Sequence, residues 1–383
     1  MSAPAYSLAA AAASAVGAFF ARHAAPGGDH GDHARTLIPD VDSVASMVDA
    51  AFWASLRKEE GRPPLVSLAF VPSDRAGQPL TFETSLPLAP DALARLAPAV
   101  ERPGVHLGVW VEGNELRVWG ATRTLPELCF VIEVVEPGLI VLKYRRGVEL
   151  GKFGNIAVLR SDEMRVVDEL SAHKPGCASL LAALFVALLD LDAPPETSDA
   201  GRALVKLAVS MRAHGRGGAL LVVPTRSADW RESIVQPVSY AIAPPFARLA
   251  DLLRLPTVER GRAGGYDGIG KLIDTVAGLT AVDGAAVIND QYEVLAFGAK
   301  IGRREGHAAV EQVLVVEPVA GNVPELIPPV QLGGTRHLSA AQFVHDQREA
   351  LALVASQDGR FTVFAWSAKE RAVLAHRIET LLF

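Results

Sequence analysis

What this chain has little of narrows it first. Cys129 and Cys177 are its only cysteines, each inside an apolar run, so buried thiols in a reducing compartment are expected rather than a disulfide framework. Positive charge is not in surplus: 37 Lys and Arg against 43 Asp and Glu leave a net charge of −6. A duplex-binding surface needs the opposite balance, so nucleic acid is not an expected partner. The apolar run from Cys177 to Leu189 falls short of the ~20 residues that span a bilayer and reads as a buried helix. The opening MSAPAYSLAAAAASAVGAFFARH lacks a cationic start before its apolar stretch, so no signal peptide is expected. A cytoplasmic protein without a membrane partner is the expectation.

What is present is ample apolar material, 50% of 383 residues, enough for two domains and a sizeable core. Residues 1–35 read as an Ala-rich helix from Ser7 to Arg22 and a loop, HAAPGGDHGDHAR. His30, Asp32 and His33 in that loop have metal-ligating side chains but no helical i, i+4 spacing and no third cluster, and they are read as solvated. Residues 36–163 form a β-rich domain, with β texture from Pro64 to about Leu159 and a hairpin turn at Gly113–Asn114. Trp110 and Trp119 are expected to face each other across that hairpin. Residues 164–383 mix helices and strands, which implies an α/β (α+β) domain with a sheet between helical layers. The last segment, SAKERAVLAHRIETLL, reads as a closing helix carrying His376. His345 also reads as helical, and Trp230, Tyr240 and Trp366 as packing residues.

Three glycine-rich stretches could cradle an anion. HGRGGALLVVP has its glycines before a strand, whereas a phosphate needs them before a helix, where free N–H groups and the dipole point at the charge. Gly215 there is expected to end a helix in the left-handed conformation. GYDGIGKL nearly fits G-x-x-x-x-G-K-[ST], but Leu272 stands where the Mg²⁺-binding hydroxyl belongs. GGTRH, ahead of LSAAQFVHDQREAL, has the right order. Gly333 and Gly334 allow close backbone approach, Thr335 would cap the helix or donate to a phosphate, and Arg336 offers a forked donor beside His337. A Gly-Gly turn with a Thr cap and two surface cations is the bland alternative.

Read together, DGAAVI at Asp283 to Ile288, LAFGAKI, GGTRHLSAA and REALALVASQDGRFTVF resemble the diadenylate cyclase (DAC) domain family over roughly residues 281–366. RGGALLVVP resembles that family's first core strand, and the β-rich half lies outside the resemblance. The resemblance implies a mixed β-sheet flanked by helices that joins two ATP molecules into cyclic di-AMP, with Mg or Mn and two domains face to face, hence a homodimer. By resemblance, Asp283 would hold metal near the attacking hydroxyl and be the catalytic residue of an active enzyme. Gly284 and Ala285 would line the nucleotide pocket together with Gly334. Thr335, Arg336 and His337 would contact phosphates, and Ser356 and Gln357 would sit at the turn where the family carries an acidic residue.

The sequence departs from the family at that turn and at the corner. Leu338 replaces the second basic residue of Arg-His-Arg, and Ser356-Gln357-Asp358-Gly359 replaces Ser-Glu-Glu-Thr-Gly. Gln357 is a poor ligand for a hard cation, and Asp358 would serve only if the turn shifts. These changes, with RGGALLVVP and WRESIVQPVSYAI, resemble the divergent DACNV type proposed as nucleotide sensors. The resemblance therefore implies a sensor binding a nucleotide or cyclic dinucleotide, with reduced or no cyclase activity. An active metal-dependent cyclase is the alternative, and a likeness of fold alone is the third reading.

Overall fold

The computed structural model describes residues 5–23, 37–146, 153–169, 179–189, 195–255 and 265–383. His30, Asp32, His33 and Cys177 lie outside the described residues. The chain divides into two compact units, Met1–Asp168 with Phe383, and Glu169–Leu382. Each carries one mixed sheet with helices.

Unit 1 contains α1 (Ala9–His23), α2 (Val41–Ser55), α3 (Pro90–Val100) and strands β1 (Ser67–Phe70), β2 (Leu80–Pro87), β3 (His106–Glu112), β4 (Glu115–Thr122), β5 (Phe130–Glu136), β6 (Leu139–Arg145), β7 (Phe153–Arg160) and β8 (Glu163–Val166). The sheet order is β2-β4-β3-β1-β5-β6-β7-β8. Strand alternation sorts the side chains. Leu68, Leu107, Val109, Ile132 and Ile140 join α1's Val16 and Phe20, α2's Met47 and α3's Leu93 in one core. Ala69, Val71, Trp119, Cys129 and Val131 form a smaller one. α1 contributes Ala12, Val16 and Phe20 to the larger of these cores.

Two expectations for this unit are corrected. The β texture contains a helix, α3. β1 and β3 are parallel, and parallel neighbours need a crossover, in which α3 lies. Pro90 occupies its first turn, where the missing N–H costs nothing, and Leu93, Ala97 and Val100 recur on its buried side. The hairpin turns at Gly113 (φ +66°) as expected, but Trp110 and Trp119 are not opposite each other. Trp110 pairs with Arg117, and the register shifts between Gly108 and Val109. Trp119 instead covers Gly108, where a Cβ would lie 2.0 Å from its ring, and its Nε1 donates to Val71 O at 2.7 Å.

His106 gives unit 1 a pH dependence. It is buried, with Nδ1 2.8 Å from the Ser67 hydroxyl. Burial lowers its pKa from 6.5 to about 4; Glu133 pulls it back up, while Lys143 and Arg145 push it further down. The folded chain keeps the ring neutral where the unfolded chain takes up a proton, so this stability is present above pH ~6.5 and lost as pH falls toward ~4. The expected loss between about pH 7 and pH 5 is ~2 kcal/mol. Urea unfolding of wild type and His106→Gln at both pH values checks it, and equal pH slopes in the two proteins would refute it.

Unit 2 contains α4 (Ser179–Leu188), α5 (Pro195–Ala213), α6 (Arg248–Arg254), α7 (Gly265–Leu279) and α8 (Thr335–Asp346), with β9 (Gly218–Val223), β10 (Tyr240–Phe246), β11 (Ala285–Asn289), β12 (Val294–Ala299), β13 (Val313–Val316), β14 (Glu325–Ile327), β15 (Leu351–Ala355), β16 (Phe361–Ser367) and β17 (Ala372–Arg377). The sheet order is β10-β12-β11-β9-β15-β16-β17-β13-β14. Leu220, Val222, Ile288 and Leu353 pack with apolar residues of α4, α5 and α7. Leu221, Val287 and Val354 pack with Ala340, Phe343 and Val344 of α8. Strands covered on both faces read as continuous apolar runs, as GGALLVVP does.

The closing segment is corrected from helix to strand. Ala372–Arg377 is β17, hydrogen-bonded between β16 and β13, and only Glu379–Leu381 turns, as a 3₁₀ helix. Ala, Leu and Arg favour helix locally, but Val373, Leu374 and Ala375 are buried within a sheet, and tertiary packing overrides propensity. His376 is therefore a buried strand residue, not a helical boundary one. Trp230 is buried, whereas Tyr240 is half-exposed and stacks on Phe297 at 4.6 Å.

Candidate functional site

Strand pairing brings three chain ends together at one end of the unit 2 sheet. β9 and β11 are parallel with Ala219 opposite Ala285; β9 and β15 are antiparallel with Gly218 opposite Ala355. Arg216–Gly217, Asp283–Gly284 and Ser356–Gly359 therefore emerge side by side. α8 starts against them, and a pocket of about 360 Å³ opens between Gly333–His337 and the turn at Ser356–Asp358. Gly334, Thr335, Arg336, His337, Ser356, Gln357 and Asp358 all line it. Asp283, Gly284 and Ala285 do not.

Thr335 does not cap the helix. Gly334 is the N-cap and no side chain caps the first turn; the His337 N–H donates to Gly334 O at 3.0 Å, which leaves the Thr335 and Arg336 N–H groups at the positive end of the helix dipole. The Thr335 side chain is exposed, and its hydroxyl has no partner among the described residues. Arg336 is half-buried, and no carboxylate of the described residues lies within ion-pair distance of it. Its guanidinium rests against Gly217 (φ +69°), where a Cβ would meet Nη1 at 3.1 Å. Gln357 donates through Nε2 to Arg216 O at 3.3 Å, which ties the turn to the β9 entrance. Leu338 is partly exposed on the next position of α8.

His337 is buried, and its Nε2 is enclosed without a hydrogen-bond partner among the described residues. Gly333 makes room for the ring, since a Cβ there would lie 2.5 Å from Nδ1. Burial is the main cause holding its pKa below the ordinary imidazole value; Asp358 opposes this, and Arg377 and Arg360 reinforce it. The ring is a neutral polar group at the pocket wall.

Asp283 is exposed and pairs with Lys300 at 2.5 Å. Its pKa is lowered first by the Lys300 hydrogen bond and charge, and also by Arg336. Gly284 (φ +113°) lies so close to β12 that a Cβ would be 2.5 Å from the Gly298 carbonyl carbon. Ala285 is buried on β11. Asp358 pairs with Arg360 at 3.4 Å.

A divalent metal, implied at Asp283 and Asp358 by the family resemblance, is poorly served by this donor set. Each carboxylate already faces a cation, and among the described residues no group of three His, Cys, Asp or Glu is placed to hold a metal. Hard cations take six or more oxygens, of which carboxylates supply the charge. The competing glycine stretches also have structural roles. Gly215 (φ +65°) follows α5 as its left-handed stop, and GYDGIGKL lies within α7. Gly217 and Lys300 were not foreseen as site residues. Both contacts arise from strand pairing, and no local motif marks them.

Compared with family models, residues 33–123 match the probable sensor domain DACNV. The matched segment lies in unit 1, in the β-rich half that the cyclase resemblance did not cover, whereas the phosphate-loop-like corner lies in unit 2. No curated protein matches the chain. Among the described residues no helix is long and apolar enough to cross a membrane.

Proposed function

We propose that the chain is a sensor whose second unit binds a nucleotide or cyclic dinucleotide at the α8 corner, with reduced or no cyclase activity. The carrying observation is the state of Arg336. It is a half-buried guanidinium on a helix N-terminus, with no carboxylate partner among the described residues, in a pocket shared with Thr335 and Gln357. A forked donor and a free helix end are together the chemistry of phosphate recognition. The sensor-domain match in unit 1 supports the signalling part of the reading.

The alternative, an active diadenylate cyclase, draws on Asp283. That carboxylate emerges beside the corner and feels the charge of Arg336. Phosphoryl transfer, however, rests on metal-assisted charge neutralisation, and Lys300 occupies the carboxylate. Purified protein incubated with ATP and Mn²⁺ or Mg²⁺ is expected to yield no cyclic dinucleotide, while calorimetry detects saturable binding of ATP or a cyclic dinucleotide. A metal-dependent product that disappears in Asp283→Asn would establish the cyclase instead. No binding to any of these ligands would leave a likeness of fold alone.

A further inference from the structure

The chemistry of the α8 corner distinguishes between kinds of phosphoryl group. We propose that it reads a terminal phosphomonoester, as carried by a nucleoside 5′-phosphate, and discriminates against phosphodiesters, so that a cyclic dinucleotide is a poor ligand. The inference rests on the nucleotide reading above and narrows it.

The donors set the class. The Thr335 and Arg336 N–H groups stand unpaired at the start of a 12-residue helix. The Thr335 hydroxyl has no partner, and the Arg336 guanidinium no carboxylate, among the described residues. A terminal monoester presents three free oxygens and nearly two negative charges at pH 7, whereas a diester linkage presents fewer oxygens and a single charge. Asp358 and Arg360 pair with each other at 3.4 Å, so Arg336 is the uncompensated charge of the pocket lining. The helix end adds about half a positive charge. That surplus is matched better by a dianion than by a monoanion.

His337 supplies the second, independent sign. It is only 3% exposed yet lines the pocket, and neither ring nitrogen has a hydrogen-bond partner among the described residues. Nδ1 lies against Gly333, another lining residue, where a Cβ would stand 2.5 Å from it. Nε2 is enclosed. An orphaned N–H is the costlier group to enclose, so the proton belongs on Nδ1, where an occupant of the pocket can accept it. The ring thus adds a donor to those of Thr335 and Arg336. The volume, about 360 Å³, lies near the lower end of the ~300–1,000 Å³ usual for small-molecule sites, and suits one nucleoside phosphate better than two joined in a ring.

Calorimetry on the full chain with EDTA present tests the proposal, with AMP and ATP as monoesters, 3′,5′-cyclic AMP and cyclic di-AMP as diesters, and inorganic phosphate. AMP and ATP are expected to bind at least about tenfold more tightly than either diester. AMP affinity should rise about fourfold from pH 5.5 to pH 7.5, as its second proton, with a pKa of ~6, is lost. Cyclic AMP affinity should not rise. The charged groups at the seat, Arg336, Arg360 and Asp358 with the Asp283–Lys300 pair beside them, act on both ligands, so the difference reports the ligand's own titration. Thr335→Val is expected to weaken AMP about threefold and Thr335→Ser to restore it, with unchanged thermal melting because the side chain is exposed. Diesters binding as tightly as AMP, or an AMP affinity that does not change with pH, would overturn this inference and leave the nucleotide reading standing. Inorganic phosphate binding as tightly as AMP would keep the monoester seat and overturn the nucleotide reading. No binding of any probe would overturn both.

Discussion

Replacing Gly284 by alanine is expected to cost unit 2 about 4 kcal/mol, the sum of a strained left-handed φ and an overpacked contact. Gly284 sits at φ +113°, and its absent Cβ would stand 2.5 Å from the carbonyl carbon of Gly298 and 2.8 Å from its oxygen. The clash is with backbone, so no rotamer relieves it. β11 would separate from β12 at the very point where Asp283 is delivered. A fall in melting temperature of roughly 10 °C follows from ~2–4 °C per kcal/mol in a unit of this size. Hydrogen exchange should rise in β11 and β12 and stay unchanged in β1–β8. Gly334→Ala is the control: its Cβ would meet nothing within 4 Å, and only the N-cap preference, about 1 kcal/mol, is lost. Wild-type melting of Gly284→Ala would show that the two strands do not approach as described.

The contrast between these two glycines shows what the sequence can convey. GGTRH could be read as a helix entrance because glycine, a short polar residue and a following amphipathic run are local signals, and α8 does start at Thr335. The role of Thr335 could not be read that way, because whether a hydroxyl caps depends on which residue becomes the N-cap, and that is Gly334. β9, β11, β12, β13, β15 and β16 were visible as apolar runs, whereas the largely exposed edge strands β10 and β14 carried no such signal, and β17 was hidden by its helix-favouring residues and revealed only by the neighbours that bury it. α3 was hidden inside a β-rich stretch whose parallel pair required it. Gly217, lying under Arg336, and Lys300, holding Asp283, belong to the site through strand register alone. The segment matched to the sensor domain, residues 33–123, offered no local motif.

Arg336→Ala is expected to weaken nucleotide binding by ~2–3 kcal/mol, on the order of a hundredfold, because it removes charge-assisted hydrogen bonds to a phosphoryl group. The side chain makes no ion pair with the described residues, so its loss should leave the melting temperature nearly unchanged, which separates a binding role from a structural one. Arg336→Lys should recover only part of the affinity, since an ammonium keeps the charge but not the planar fork. The same site predicts the opposite behaviour for Asp283→Asn. Removing that carboxylate takes a negative charge from beside the corner and frees Lys300, so a phosphate-bearing ligand should bind as well or more tightly, and added salt should narrow the difference. A cyclase would instead lose its product in the same variant. Calorimetry on the three variants therefore distinguishes an anion seat from a catalytic centre, and unchanged affinity in Arg336→Ala would remove the phosphate contact on which the sensor reading depends.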